Sequence, residues 1–131
     1  VLVGGILAKE VNPKEPRVVL GLSGTGQELF RLGNVESSVA DDGLGWVHAV
    51  SGCGVGICVL DGNFRKLALY SATREFIGKV DLDRLFGIEG ARSGWYGSFA
   101  VAPDRSLYVA AGVDREGGKV AEGVVFRVTG L

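Results

Sequence analysis

Short runs of apolar and β-branched residues alternate along the chain with clusters of Gly, Pro, Asp and Ser, a pattern that predicts strands joined by tight turns. The clearest case is GSFAVAPDRSLYVAAG, from Gly97 to Gly112. It predicts a strand of small residues at Ser98 to Ala102, a turn over Pro103 to Ser106, and a second strand at Leu107 to Ala111. Pro103 presets φ for the turn, and the Asp104 carboxylate can accept from the amides just ahead of it. The same reading predicts strands at Leu2 to Lys9, Arg17 to Leu22 and Gln27 to Leu32. Four more follow at Trp46 to Ser51, Gly56 to Leu60, Lys66 to Ser71 and Glu75 to Val80, and the last comes at Gly123 to Val128. Between them lie a Pro-containing linker (Glu10 to Pro16), a connection of small and acidic residues (Glu36 to Gly45), and the longest connection (Asp81 to Tyr96). One helical turn is expected in that last connection, at Leu82 to Phe86.

The pattern repeats. Shifted by 51 residues, FAVAPDRSLYVAA (Phe99 to Ala111) lies on HAVSGCGVGICVL (His48 to Leu60) without a gap, strand on strand and turn on turn. A second match, offset by about 48 residues, relates Leu20 to Val35 with Leu67 to Val80 through one small insertion. Periods of about 40 to 50 residues with four strands each are the signature of propeller blades. The expected fold is therefore all-β: about three β-propeller blades forming an incomplete ring, with partial first and last blades. The units fall at roughly residues 1–36, 37–82 and 83–131 of one domain-sized chain. A plain antiparallel sandwich is the competing architecture, but it gives no reason for the repeat.

The stretch GSFAVAPDRSLYVAAG, followed by a polar excursion and then GVVFRVTG, resembles the blade repeat of bacterial β-propellers of the NHL and SMP-30/gluconolactonase-like kind. Those blades commonly carry a motif written avapDGslYva; here Arg105 stands where glycine is usual. The resemblance does not select a subfamily. Its lactonase-like members imply a divalent metal held by carboxylate and amide residues spread over several blades, yet no ligand position carries over by motif.

A count of three, four and three strands leaves the first and last units open. If each outer face presents roughly 400 to 600 Å² of mostly apolar surface, leaving it in water forgoes on the order of 10 kcal/mol. That is comparable to the whole net stability of a domain. The chain is accordingly expected to self-associate or to join a complementary propeller fragment. It opens in mid-strand and contains no Met, which reads as a piece of something longer. Tyr108, on a predicted strand of the last unit, is expected to be intolerant of Asp.

Composition narrows the function by subtraction. Fourteen basic and fifteen acidic residues give a net charge of −1 with no block of either sign, so neither nucleic acid nor an anionic membrane is an expected partner. No apolar run approaches the ~20 residues of a membrane span. Cys53 and Cys58 stand alone as C-x4-C without a histidine set, which does not make a zinc site. One is expected in a turn and the other in the next strand, so they read as unbridged thiols, Cys58 acting as a small buried apolar residue. The glycines at Gly21 to Gly26 precede a strand and lack a GKS or GKT ending, so no phosphate loop is present, and no G-x-S-x-G elbow occurs.

The ligand-binding candidates cluster where connections enter the innermost strands: Asp41, Asp42 and His48 in the middle unit, and Arg92, Trp95 and Tyr96 before the last. His48, the sole histidine, lies on a predicted strand and reads either as a base oriented by Asp41 or Asp42 or as a channel-lining side chain hydrogen-bonded to backbone. The Asp41-Asp42-Gly43 run could help hold a hard cation, but adjacent carboxylates point to opposite sides of an extended chain and supply one ligand each way, and such a run more often marks a solvated turn. Arg92, Trp95 and Tyr96 have the composition of a rim for a protein or a sugar, and Trp95 and Tyr96 read equally as two aromatics capping the end of the ring. The expected function is a noncatalytic binding segment without a cofactor; the alternative is part of a metal-dependent propeller hydrolase or lyase.

Overall fold

A computed structural model describes residues 2–6, 16–88, 93–114 and 121–131. The protein is all-β, with three antiparallel sheets each formed by strands consecutive in the chain. The first sheet contains β1 (Leu2–Ile6), β2 (Arg17–Leu22) and β3 (Glu28–Leu32). The second contains β4 (Val47–Cys53), β5 (Gly56–Asp61), β6 (Lys66–Ser71) and β7 (Phe76–Asp81). After the one-turn helix α1 (Leu82–Phe86), the third contains β8 (Ser93–Val101), β9 (Leu107–Asp114) and β10 (Ala121–Val128). Asp81 caps α1 by accepting from the Arg84 amide, and Gly87 ends it in the left-handed region at φ 67°. No helix among the described residues is long and apolar enough to cross a membrane.

Three of the hairpins share one five-residue turn. In Ser23–Gln27, Ser71–Glu75 and Ala102–Ser106 the first and last residues are joined by a backbone bond, and the fourth residue donates back to the first. That fourth residue has positive φ: Gly26 at 85°, Arg74 at 72° and Arg105 at 65°. This is a type I turn closed by a left-handed residue. Glycine suits that fourth position, and in the third of these turns Arg105 occupies it at a cost of about 1 kcal/mol.

The second sheet is covered on both faces, which is why β5 and β6 are apolar without alternation. Cys58, Leu60, Leu67 and Leu69 face the third sheet and pack on Tyr96, Phe99, Leu107, Val109 and Val128. Val59, Ala68 and Tyr70 face the other way, onto Val19, Leu32 and Leu44. The third sheet does alternate: Leu107 and Val109 are buried, while Tyr108 is 40% and Val125 66% exposed. At the first strand of each meander, β4 packs against β8 on one side and against β1 and β2 on the other.

Two expectations are corrected. Cys53 and Cys58 form a disulfide with a Cα–Cα separation of 5.9 Å. The pairing explains it: Cys53 lies opposite Gly56 and Ser51 opposite Cys58, so the two sulfurs sit diagonally on one face of the hairpin instead of straining across it. The burial of Cys58 is as expected. Tyr108 projects from the outer face of the third sheet and supports no core, so Asp is not excluded there by packing.

Candidate functional site

The entry into β4 is organised by Asp61, a fully buried carboxylate at the end of β5. It accepts from the amides of Gly45 (2.7 Å), Trp46 (3.1 Å), Asn63 (3.1 Å) and Phe64 (3.2 Å). Four N–H donors compensate the desolvation of the charge and pin the incoming chain to the β5–β6 turn. Trp46 and His48 are thereby fixed at one end of the sheets, their rings edge to face at 6.5 Å. His48 Nδ1 lies 2.8 Å from the Tyr96 carbonyl oxygen. That oxygen can only accept, so His48 Nδ1 is the donor. Gly62 leaves room for the ring: a Cβ there would come within 2.5 Å of Nε2.

Beneath this bond lies a second polar group. The buried Tyr96 hydroxyl donates to Asp83 Oδ1 at 2.7 Å, and Arg65 Nε sits 2.7 Å from Asp83 Oδ2. The Arg65 guanidinium also lies 5.4 Å from the centre of the Tyr96 ring. Burial, reinforced by the bond to Asp83, raises the Tyr96 pKa, so the phenol stays protonated. The arrangement binds α1 to β8 and to the β5–β6 turn.

Asp41 and Asp42 lie elsewhere. Asp42 accepts from the Asn34 side chain at 3.1 Å within its own connection. Asp41 lines an open cleft of about 350 Å³ with Lys66, Phe76, Gly78 and Lys79. Lys79 donates to the Gly43 carbonyl, strapping this connection to β7. Burial lowers the Lys79 pKa, a tendency opposed by Asp61 and aided by Lys66, while Asp42 and Asp41 oppose it further. Nearby, Tyr70 is 2% exposed, and its hydroxyl meets no hydrogen-bond partner among the described residues. Its pKa is pushed up to about 12, first by burial and then by the charges of Asp42 and Asp61.

Trp95 and Tyr96, expected in a connection, are residues of β8. As strand neighbours they point to opposite faces: Tyr96 is buried at 1% and Trp95 is 61% exposed. The Trp95 indole rests on Gly97 and Gly112, where an added Cβ would come within 2.6 and 2.8 Å of it. It starts a nine-position grid on the outer face of the third sheet. Trp95, Gly112 and Gly123 form one row, Ser98, Ala110 and Val125 the next, and Ala100, Tyr108 and Arg127 the last. Arg127 is the one charged residue of this grid, and it turns aside to Asp104 (2.9 Å) and Ser106 (3.1 Å).

The six residues singled out in the sequence therefore fall into separate places. His48 meets the Tyr96 backbone, Asp41 and Asp42 belong to the Lys79 connection, Trp95 faces outward, and Arg92 lies outside the described residues. Among the described residues no three His, Cys, Asp or Glu side chains come together as a metal-binding group. Asp61, Asp83, Arg65 and Lys79 had not been singled out. Asp61 alone had a local signal, the Asp-Gly-Asn turn ending a predicted strand. A comparison with known protein families finds no matching family, and no curated protein matches the chain.

Proposed function

We propose that this chain is a noncatalytic β-propeller segment that works as an interaction module, completing a ring with another chain or fragment. The observation that carries this reading is the difference between the sheets. The second buries apolar side chains on both faces, whereas the outer face of the third leaves Trp95, Tyr108 and Val125 in solvent. Large apolar side chains grouped on one exposed sheet face support a contact surface there. The contacts of β4 with both β1 and β8 support sheets that follow one another about an axis, as blades do. The polar groups lend themselves to architecture more than to chemistry: Asp61 holds backbone, Asp83 holds Tyr96 and Arg65, and His48 holds the neighbouring strand. Sedimentation velocity of the purified chain tests the reading. The expected result is an assembly heavier than the 13.7 kDa chain; a compact, well-folded monomer at all concentrations would refute it.

A further inference from the structure

We infer that the outer face of the third sheet takes the same face of a second copy of this chain, the two related by a two-fold axis that lies in the interface and runs along β9. The second copy covers the face as a following sheet of the ring would. This rests on the interaction-module reading above and adds the occupant, its symmetry and the residues that meet.

The first reason is that the face complements itself. All nine grid positions are exposed except Gly112, which lies beneath the Trp95 indole. Large and small residues sit on opposite strands: Trp95 on β8 shares a row with Gly123 on β10, and Val125 on β10 shares a row with Ser98 on β8. A half-turn about β9 exchanges β8 and β10 but keeps each row in place. It therefore lays Trp95 of each copy over Gly123 of the other, and Val125 over Ser98. On the axis Ala110 meets Ala110, small enough for the two sheets to pack at about 10 Å, and the Tyr108 rings meet offset. The half-turn that reverses the rows would instead bring Tyr108 onto Gly112, a place the indole already fills.

The second reason is charge. Arg127, the one charged side chain of the face, is bound to Asp104 at 2.9 Å within its own sheet. Because the half-turn keeps the rows in place, the two Arg127–Asp104 pairs arrive at the same end of the interface in reversed order. Each guanidinium then lies beside the other copy's carboxylate, opposite charges alternate, and no unpaired charge is buried. Both side chains stay about half-exposed, so these pairs set the register more than the affinity.

The third reason is area. A three-by-three sheet face offers roughly 400 Å², so the contact buries roughly 800 Å² counted on both sides. A foreign partner of ordinary interface size needs roughly 800 Å² on each side, about twice what this face provides. A self-complementary contact needs nothing beyond the face itself, and at this size it falls among weak, reversible associations. The dimer is accordingly expected to form and dissociate with concentration.

The test uses single-cysteine variants of the full chain, in which the bridged Cys53–Cys58 pair leaves no competing thiol. Folding is checked by circular dichroism, and cross-linking under mild oxidation by oxygen is read on non-reducing gels. Ala110→Cys is expected to give a species of twice the 13.7 kDa chain mass. It should form at least roughly tenfold faster than with Ile77→Cys, whose site on β7 is 54% exposed but lies outside the face. Ser98→Cys and Val125→Cys should link to each other when mixed and not when alone. If wild type assembles but Ala110→Cys links no faster than Ile77→Cys, self-pairing is overturned while the interaction-module reading stands. If Ser98→Cys and Val125→Cys each link to themselves instead, the rows are reversed and the two-fold along β9 is overturned. If wild type is a compact monomer at every concentration, both readings fall. Tyr108→Asp gives an independent readout, because it brings two carboxylates together on the axis. It should stay folded and associate at least roughly tenfold more weakly in sedimentation; association equal to wild type would overturn the pairing.

Discussion

Removing one hydroxyl from Tyr70 and one from Tyr96 is the same chemical change at two buried sites, and the structure predicts opposite signs. Tyr70 is 2% exposed, and its oxygen has no hydrogen-bond partner among the described residues. Burying an unsatisfied hydroxyl costs about 1–3 kcal/mol. Tyr70→Phe keeps the ring and its edge contact with Phe76 at 5.6 Å, so it should stabilise the protein by about 1 kcal/mol. Tyr96 donates to the Asp83 carboxylate at 2.7 Å, a bond to a charged group worth about 1.5–3 kcal/mol. Tyr96→Phe should therefore cost about 2 kcal/mol. The two variants should be separated by about 3 kcal/mol in urea unfolding followed by circular dichroism, or about 12 °C in melting temperature at about 4 °C per kcal/mol.

Alkaline pH supplies a second readout. The folded-state pKa of Tyr70 is raised from its ordinary 10 to about 12, so the fold favours the protonated phenol. The corresponding stability is complete below pH 10 and is lost as pH rises through 12. Tyr70→Phe should flatten that part of the profile. A loss of more than about 1 kcal/mol in Tyr70→Phe would refute the reasoning, because the hydroxyl would then be bonded.

The other consequences are simpler to check. Asp61→Asn places an amide NH₂ among four backbone donors and should cost about 2–3 kcal/mol in urea unfolding; a neutral result would show that the carboxylate does not hold the β4 entry. Reducing the Cys53–Cys58 bridge should lower stability by about 2 kcal/mol through loop-closure entropy. Cys53→Ala should abolish the response to reductant, and thiol titration of the native unreduced chain should find no free cysteine.

Most strands and turns were legible because their signals are local. Short runs of apolar and β-branched residues placed the strands, and Pro103 with Asp104 marked the clearest turn. What escaped depends on register and on contacts distant in the chain. The sulfurs of Cys53 and Cys58 meet only because the hairpin pairs Cys53 with Gly56; one residue of slippage would separate them. Trp95 and Tyr96 looked like a connection because glycines flank them. Gly97 instead accommodates the indole, and irregularities between Ser93 and Ser98 let β8 run nine residues. Asp83 and Tyr96 are 13 residues apart, and Arg65 approaches from a different hairpin, so no linear motif joins them. His48 was readable as a strand residue bonded to backbone, but its acceptor, 48 residues away, was not.

The claim on which the account turns is that the outer face of the third sheet is a contact surface, and hydroxyl-radical footprinting of the two tryptophans tests it directly. Trp95 is 61% and Trp46 51% exposed in a single chain, so in dilute solution they should oxidise at similar rates. As concentration rises, Trp95 should become protected several-fold while Trp46 continues to react. Equal oxidation of both at every concentration would contradict the account.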